Sequence, residues 1–345
     1  MELPETLKNH ATFAIYGAQV VAYGAYRAIR HLTGRMPLCF IVSRPEGNPA
    51  EIEGLPVAGL DTVPPDTLVI IAVSEILQDE IKVVLEQAGH EHIFTLSSHD
   101  EHLLMSAYYD SLGCFSPAAE TGAGSELALY EVHHPLDRPL LAPPPRRPWV
   151  IPIQAGAALS DICICALRDD TGENISAQNG QYYEGSVMYW LWKNAVAPWV
   201  GVQHYRRHLL VTPDMLGEGV DAILPLPYMC PLSTLAQSAR FISCEGMEAV
   251  LAALRKLHPA EYGGYIRCLE GKYIYAYNLV VARRDVYADF AGWLFGITQY
   301  LEAQAVGGMG GGRELSYIVE MLTSLYFMAN VGGLRIRHVE KAIYR

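Results

Sequence analysis

His204-Tyr205-Arg206-Arg207 follows an apolar run, Trp199 to Gln203, with the length and composition of a buried strand. A strand that delivers an imidazole, a phenol and two guanidiniums at its carboxyl end puts them where open α/β sheets bind ligands. Two adjacent guanidiniums are costly to hold together without an anion, and their planar forks suit phosphate oxygens. Two readings follow. The pair faces a phosphorylated ligand, or it bridges carboxylates such as Asp169, Asp170 or Glu184 and braces the fold.

Other polar residues flank this strand. Asn174, Ser176 and Asn179 can donate hydrogen bonds to ribose, base or sugar hydroxyls, or cap their own loop. Glu184 lies early on a helix expected over Tyr182–Asn194, where an acid is favoured; its carboxylate can also pair with Arg206 or hold a sugar hydroxyl. Downstream, Arg313 and Glu320 sit seven residues apart on a helix expected over Glu314–Asn330, two turns apart and on one face. Asp221 stands just before an expected strand, Ala222–Leu226. The run Gly307–Gly312 lacks the Gly-Lys-Ser/Thr ending of a phosphate-binding loop and reads as a lid or a plain connection.

The elements that must position these groups lie in the second of two differently built parts. The chain has 345 residues, more than most single domains use, and a net charge of −12. Residues 1–120 carry 6 basic and 16 acidic side chains, against 19 and 21 in the remainder. That excludes a nucleic-acid groove but leaves room for a local anion site among the later arginines. Seven cysteines and an amino-terminal stretch without a signal peptide's apolar core give the expectation of a reduced, cytoplasmic protein. No apolar run approaches the roughly 18 residues of a spanning helix.

In the first part, strands at Ala11–Tyr16, Pro37–Val42, Thr67–Val73 and Ile93–Leu96 alternate with helices at Ala18–Leu32 and Glu75–Ala88. This predicts a small doubly wound, Rossmann-like parallel sheet over residues 1–120. Its first turn, Gly17-Ala18-Gln19-Val20-Val21-Ala22, keeps only the first glycine of a dinucleotide fingerprint, and Ser43-Arg44 stands where an acid would hold ribose. Gly17 is thus the single cofactor-binding candidate. The Tyr16-Gly17-Ala18 opening resembles the amino-terminal nucleotide-sugar-binding domains of some bacterial sugar-modifying enzymes. The boundary is expected near residue 120, with the proline-rich stretch Pro135–Pro148 a loop inside the second part, 121–345.

Three motifs in order carry a second resemblance. They are Asp-x-x-Gly-x-Asn-Ile-Ser-x-x-Asn (from Asp169 or Asp170 to Asn179), Tyr-Trp-x-Trp-Lys-Asn (Tyr189–Asn194) and Gly-x-x-His-Tyr-Arg-Arg (Gly201–Arg207). Together with Tyr277-Asn278, Trp293-Leu294-Phe295 and Arg313…Glu320, they resemble the DUF4422 family over residues 126–340. That family's members belong to capsule and exopolysaccharide clusters and are grouped with GT-A-type glycosyltransferases. The resemblance implies an α/β, GT-A-like domain, a nucleotide-sugar donor and a saccharide or glycolipid acceptor. His204, Tyr205, Arg206, Arg207, Asp170, Asn174, Ser176, Asn179 and Arg313 are then the donor-binding candidates. Glu320 becomes the first candidate for an acceptor base, with Asp221 and Glu184 as competitors.

Most GT-A enzymes neutralise the departing diphosphate with a divalent metal on an Asp-x-Asp motif. No such motif is present, so fixed arginines are expected in its place, with manganese or magnesium as the alternative. Cys163 and Cys165 read as core residues on one strand face, and the basic tail Arg335–Arg345 as a terminal strand or a peripheral membrane contact. The competing functions are a non-catalytic ligand-binding scaffold and an NAD(P)-dependent sugar-modifying enzyme.

Overall fold

The computed structural model describes residues 3–119, 124–304, 312–330 and 333–345. The chain is α/β and forms two compact units, Met1–Ser116 with Tyr228–Pro231, and Pro117–Pro227 with Leu232–Arg345.

The first unit contains α1 (Leu3–Lys8), β1 (Phe13–Tyr16), α2 (Val20–Thr33), β2 (Phe40–Val42), β3 (Glu51–Ile52), β4 (Leu55–Gly59), β5 (Leu68–Ile71), α3 (Glu75–Gln87), β6 (Ile93–Thr95) and α4 (Ser98–Ser111). Its sheet runs β3-β4-β2-β1-β5-β6, parallel except for the β3–β4 hairpin. The order reverses at β1, the arrangement of a doubly wound sheet. β1 and β5 are buried throughout, as parallel strands covered on both faces must be. Gly17 has φ +120°, and a Cβ there would lie 2.7 Å from the Ala72 carbonyl oxygen, so local packing alone demands glycine. Around this turn Gln19 donates to Asn48 (3.0 Å) and the Tyr16 hydroxyl bonds that of Ser43. The hairpin and α4 go beyond the sequence reading. Glu53-Gly54, both at positive φ, make the hairpin's tight turn, and Ser97 caps α4 by accepting from the Asp100 N–H.

The second unit contains β7 (Leu127–His133), β8 (Val150–Gln154), β9 (Leu167–Arg168), α5 (Asn179–Tyr182), α6 (Glu184–Asn194), β10 (Trp199–His204), β11 (Arg207–Leu209) and β12 (Ala222–Pro225). After β13 (Tyr228–Met229), which counts with the first unit, come α7 (Thr234–Ser238), α8 (Cys244–Leu257), α9 (Tyr262–Glu270), β14 (Tyr273–Ile274), β15 (Val280–Arg283), α10 (Arg284–Ala303), α11 (Glu314–Ala329), β16 (Ile336–Val339) and β17 (Lys341–Ile343). The main sheet runs β16-β12-β15-β10-β7-β8-β9. Strands β10, β7, β8 and β9 are mutually parallel, and β15 is antiparallel to both β10 and β12.

Alternation along β7 shows how both faces are filled. Ala128, Tyr130 and Val132 face a large core with Met188 and Leu191 of α6, Phe290 and Leu294 of α10, and Ile318 and Leu322 of α11. Leu127 and Leu129 face a smaller one with Trp199, Ile223 and Val281. The motif glycine Gly201 sits mid-sheet, where a Cβ would come within 2.5 Å of the Val281 side chain and 2.7 Å of the Val280 carbonyl oxygen. Its place in the motif is therefore a packing requirement.

Candidate active site

Because β7 to β10 run parallel, their carboxyl ends share one edge, and the loops that follow them meet there. A cavity of about 380 Å³ opens at this edge, lined by Asn179, Tyr183, Glu184, His204 and Arg313, with Leu136 and Leu159 at its wall. Four of the site residues read from the sequence, Asn179, Glu184, His204 and Arg313, thus meet at one place.

The loop after β9 is built around Asp169, whose carboxylate is fully buried. It accepts from the Gly156 and Ala157 N–H groups (2.9 and 3.0 Å) and from the hydroxyls of Ser176 and Ser186 (2.5 and 2.7 Å). Four donors on one carboxylate satisfy its lone pairs and fasten the loops after β8 and β9 to α6. Gly156 has φ +64°, and its missing Cβ leaves room for the Asn179 Oδ1, which it would otherwise meet at 2.7 Å.

Several donor-binding candidates are engaged inside this loop rather than facing the cavity. Asp170 is held by Arg168 through two contacts, 2.7 and 3.2 Å. Asn174 donates to the Gly172 carbonyl and accepts from the Ser176 N–H, and Ser176 also accepts from the Ala158 N–H. For Asp170, Asn174 and Ser176, loop capping describes the side chains. The first two motifs also hold each other. Trp190 donates to the Thr171 carbonyl (2.9 Å), and Asn194 donates to the Glu173 carbonyl (2.9 Å) close against Gly172.

His204 and Arg207 are directly opposed across the β10–β11 hairpin, which puts their side chains on one face. His204 Nδ1 accepts from the Arg206 N–H (3.4 Å), so its proton belongs on Nε2, 3.6 Å from Glu184 Oε1. Burial, reinforced by Arg207 and Arg206, lowers the imidazole pKa to about 3. At neutral pH His204 is therefore an uncharged donor. Arg206 turns along the ring of Tyr205, with its guanidinium carbon 4.7 Å from the centroid, and donates to the Tyr205 hydroxyl; its Nε is buried without a partner. Arg207 lies over the Tyr277 ring at 4.4 Å. Among the described residues neither arginine makes an ion pair. Asp170 is taken by Arg168, Glu184 approaches His204, and Asp169 is saturated. The bracing carboxylates of the second reading are all engaged elsewhere.

Glu320 lies near Glu184 and Arg207, but Glu320, Arg206 and Arg207 are not part of the cavity wall. Burial raises the Glu320 pKa; the nearby Glu184 raises it further, while the Tyr277 N–H and Arg207 pull it down. Arg313 precedes α11 and lies 4.5 Å from the Tyr183 ring centroid. The helix expected over Tyr182–Asn194 is interrupted at Tyr183, which has φ +51° and ψ −122° and separates α5 from α6. Tyr277 and Asn278 also hold positive φ, 74° and 52°, and the Asn278 Oδ1 is buried without a partner. Non-glycine residues in this region cost of order 1–3 kcal/mol each, and such strain concentrates at functional sites.

Two groups depart from the sequence expectation, and one was missed by it. Asp221 precedes β12, which is parallel to β10, so it lies at the amino-terminal edge, opposite the cavity. Its carboxylate binds Arg335 (2.8 and 2.9 Å) and Arg283 (2.7 Å), and the Arg335 hydrogen bonds chiefly hold its pKa down at about 2. Asp221→Asn is expected to destabilise the protein by about 2 kcal/mol in thermal or urea unfolding without changing ligand binding. A depressed carboxyl pKa stabilises above the unfolded value near 4, so the difference from wild type should vanish as pH falls toward 2. Cys163 and Cys165 lie in a loop, with Cys163 exposed, rather than on a strand face. The missed feature is Glu131. Burial opposes its ionisation, but hydrogen bonds from His133 (2.8 Å) and His208 (2.9 Å) win and set its pKa at about 2. Gln203 also donates to Glu131 and accepts from the Leu209 N–H, which ties down the hairpin that carries Arg207.

Gly307–Gly311 lie outside the described residues. Among the described residues, no group of three or more His, Cys, Asp or Glu side chains could hold a metal ion, and no helix is long and apolar enough to cross a membrane.

The chain's architecture is similar to that of the WbbM bifunctional glycosyltransferase in its apo form, with a TM-score of 0.51 and 24% identity. The match covers 63% of this chain and 45% of that one, so the chain spans less than half of that structure, and the likeness is one of fold. No curated protein matches. Residues 140–331, more than half of the sequence, match the family model described as domain of unknown function DUF4422. They contain all three motifs and most of the cavity's polar wall, and on that match the chain belongs to the DUF4422 family.

Proposed function

We propose that the chain is a glycosyltransferase. It moves a sugar from a UDP-sugar donor to a saccharide or lipid-linked acceptor in bacterial surface-polysaccharide synthesis, on the cytoplasmic side. Residues 121–345 form its GT-A-like catalytic domain and residues 1–120 a Rossmann-like accessory domain. The observation that carries this reading is the pair Arg206 and Arg207. Both lie without an ion-pair partner among the described residues at the carboxyl edge of a parallel sheet, with Arg207 near Glu320 and Arg206 near Asp137.

In this role the acceptor hydroxyl gives its proton to Glu320 as its oxygen bonds the anomeric carbon. The bond from that carbon to the diphosphate breaks, and the electron pair leaves with the diphosphate. Arg207, Arg206 and Arg313 supply fixed positive charge where the leaving group's charge grows, and neutral His204 offers an Nε2–H. Glu184 holds a sugar hydroxyl or the His204 ring. Asn179, already donating to the Tyr183 carbonyl and Ser186, positions the wall.

A thermal-shift series with UDP-sugars, NAD(P) and manganese tests this. UDP-sugar is expected to stabilise the protein without manganese, by about 2.7 kcal/mol at a hundredfold excess over Kd, and Arg206→Ala and Arg207→Ala should lose the shift. Stabilisation that disappears with chelator and returns with manganese would replace the fixed cations by a metal. Stabilisation by NAD(P) alone would support a sugar-modifying oxidoreductase, and no response to any of them a scaffold.

A further inference from the structure

The wall of the cavity of about 380 Å³ is polar without being cationic. Among the described residues it holds two carboxylates, Asp137 and Glu184, against one guanidinium, Arg313, and Arg206 and Arg207 lie outside it. Asp137 sits on the loop after β7. Its Oδ2 accepts from the His134 N–H (2.7 Å), while Oδ1 has no hydrogen-bond partner and the group makes no ion pair among the described residues. Burial raises its pKa, which the His134 N–H opposes. His134 Nδ1 accepts from the Leu136 N–H (3.1 Å), which puts that ring's proton on Nε2. His204 likewise carries its proton on Nε2, 3.6 Å from Glu184 Oε1 and beyond hydrogen-bond length. The wall thus sets two carboxylate acceptors beside two imidazole N–H donors. Leu136 and Leu159, both exposed, and Tyr183 supply its apolar part.

We propose that this cavity is a polyol subsite: it takes an uncharged ring with neighbouring hydroxyls and excludes the diphosphate, which stays on the arginines outside. A hydroxyl donates and accepts at once, so each can give its proton to Asp137 or Glu184 while accepting from His134 or His204. An ionised phosphate or carboxylate only accepts. In this cavity it would leave both carboxylates unsatisfied and face their charge, with one arginine to offset two acids. The aliphatic wall suits the C–H face of a neutral ring, in the manner of pockets that combine apolar surface with a few convergent polar groups. A saccharide and the ribose of a nucleoside share this chemistry. The proposal rests on the glycosyltransferase reading for those two sources, and it adds a division of roles to it. Asp137 and Glu184 select the neutral ring, and Arg206 and Arg207 hold the phosphates. Asp137 is then a specificity-determining residue.

Ligand-observed NMR titration of the full chain tests it, with methyl glucoside, methyl galactoside, uridine, methyl glucuronide and pyrophosphate as probes. At least one neutral probe should bind, and pyrophosphate should not displace it. Binding of a glycoside assigns the ring to a saccharide, and binding of uridine alone assigns it to the nucleoside. Methyl glucuronide should bind about tenfold or more weakly than the best neutral probe. Asp137→Asn keeps an acceptor for the His134 N–H but not the charge. It should weaken the neutral probe about tenfold at unchanged Tm and narrow the gap to methyl glucuronide; Glu184→Gln should do the same. No binding by any neutral probe, equal binding by both variants, or displacement by pyrophosphate overturns the proposal. The two readings fail separately. Probe binding that depends on Asp137 without turnover of any UDP-sugar would sink the transferase alone, and turnover with probe binding indifferent to Asp137 would sink the subsite alone.

Discussion

Arg207→Ala is expected to lower kcat/KM for transfer from a nucleotide sugar by about 10²–10³-fold, with Tm held within a few degrees of wild type. The size follows from where the guanidinium sits. It is stacked on Tyr277, opposite His204 on one sheet face, near Glu320, and without an ion-pair partner among the described residues. A fixed cation aimed at growing negative charge is worth several kcal/mol in a partly dry cleft, because no reorganisation is needed as the bond breaks. Arg207→Lys keeps the charge but loses the planar fork and the stacking, so it should recover only part of the rate. A second readout separates electrostatics from packing. Arg207 helps to hold the Glu320 pKa down, so without it the acid limb of the pH–rate profile should move to higher pH. Unchanged kinetics with Arg207→Ala would remove this residue from the site.

Glu320→Gln is expected to cost about 10²–10⁴ in kcat with little change in KM, the range lost when a positioned base is removed. Burial, then Glu184, raise the Glu320 pKa, so the active ionised form should appear only as pH climbs past the ordinary carboxylate range. Wild-type kcat should therefore rise with pH through that raised value, and the limb should be absent from the residual activity of Glu320→Gln. The stability effect has the opposite sense to that of Asp221. A raised carboxyl pKa means that the native state binds more protons than the unfolded one above about 4.5, so this group's contribution declines as pH rises through the folded value. Glu320→Gln removes that decline and should be neutral or stabilising at pH 8 in urea unfolding. A variant that loses activity only because it unfolds would show the reverse.

The legible parts of the sequence were those where one residue type has one physical use. Strands β1, β5 and β10 could be read because runs such as Phe13–Tyr16 and Trp199–His204 are buried on both faces. Glu320 could be placed on a helix from its apolar spacing, whereas Arg313, expected on the same helical face, precedes α11. The motif Asp-x-x-Gly-x-Asn-Ile-Ser was less transparent, because a short polar side chain near a turn serves a ligand and a loop equally well. The structure fills the hydrogen bonds of Asp169, Asp170, Asn174 and Ser176 internally. Asp221, just before a strand, and Glu320, within a helix, were both acids at a regular element, and nothing local told them apart. Glu131 gave no signal at all, since an acid in an apolar strand is explained only by the His133 and His208 that reach it.

By itself, then, the sequence determined the main strands and helices of the first unit, the division of charge, and the residues able to meet an anion. Those properties follow from periodicity, composition and side-chain chemistry, which act over a few residues. Only the tertiary structure decided which of those residues share a cavity, because the direction of a strand within a sheet is set by pairings distant in sequence. The parallel run of β10, β7, β8 and β9 opens the cavity where His204 meets Glu184, Asn179 and Arg313, with Arg207 and Glu320 close by but outside its wall. The same rule sends Asp221 to the opposite edge, where Arg283 and Arg335 hold it, and leaves the two arginines of the hairpin without an ion-pair partner among the described residues.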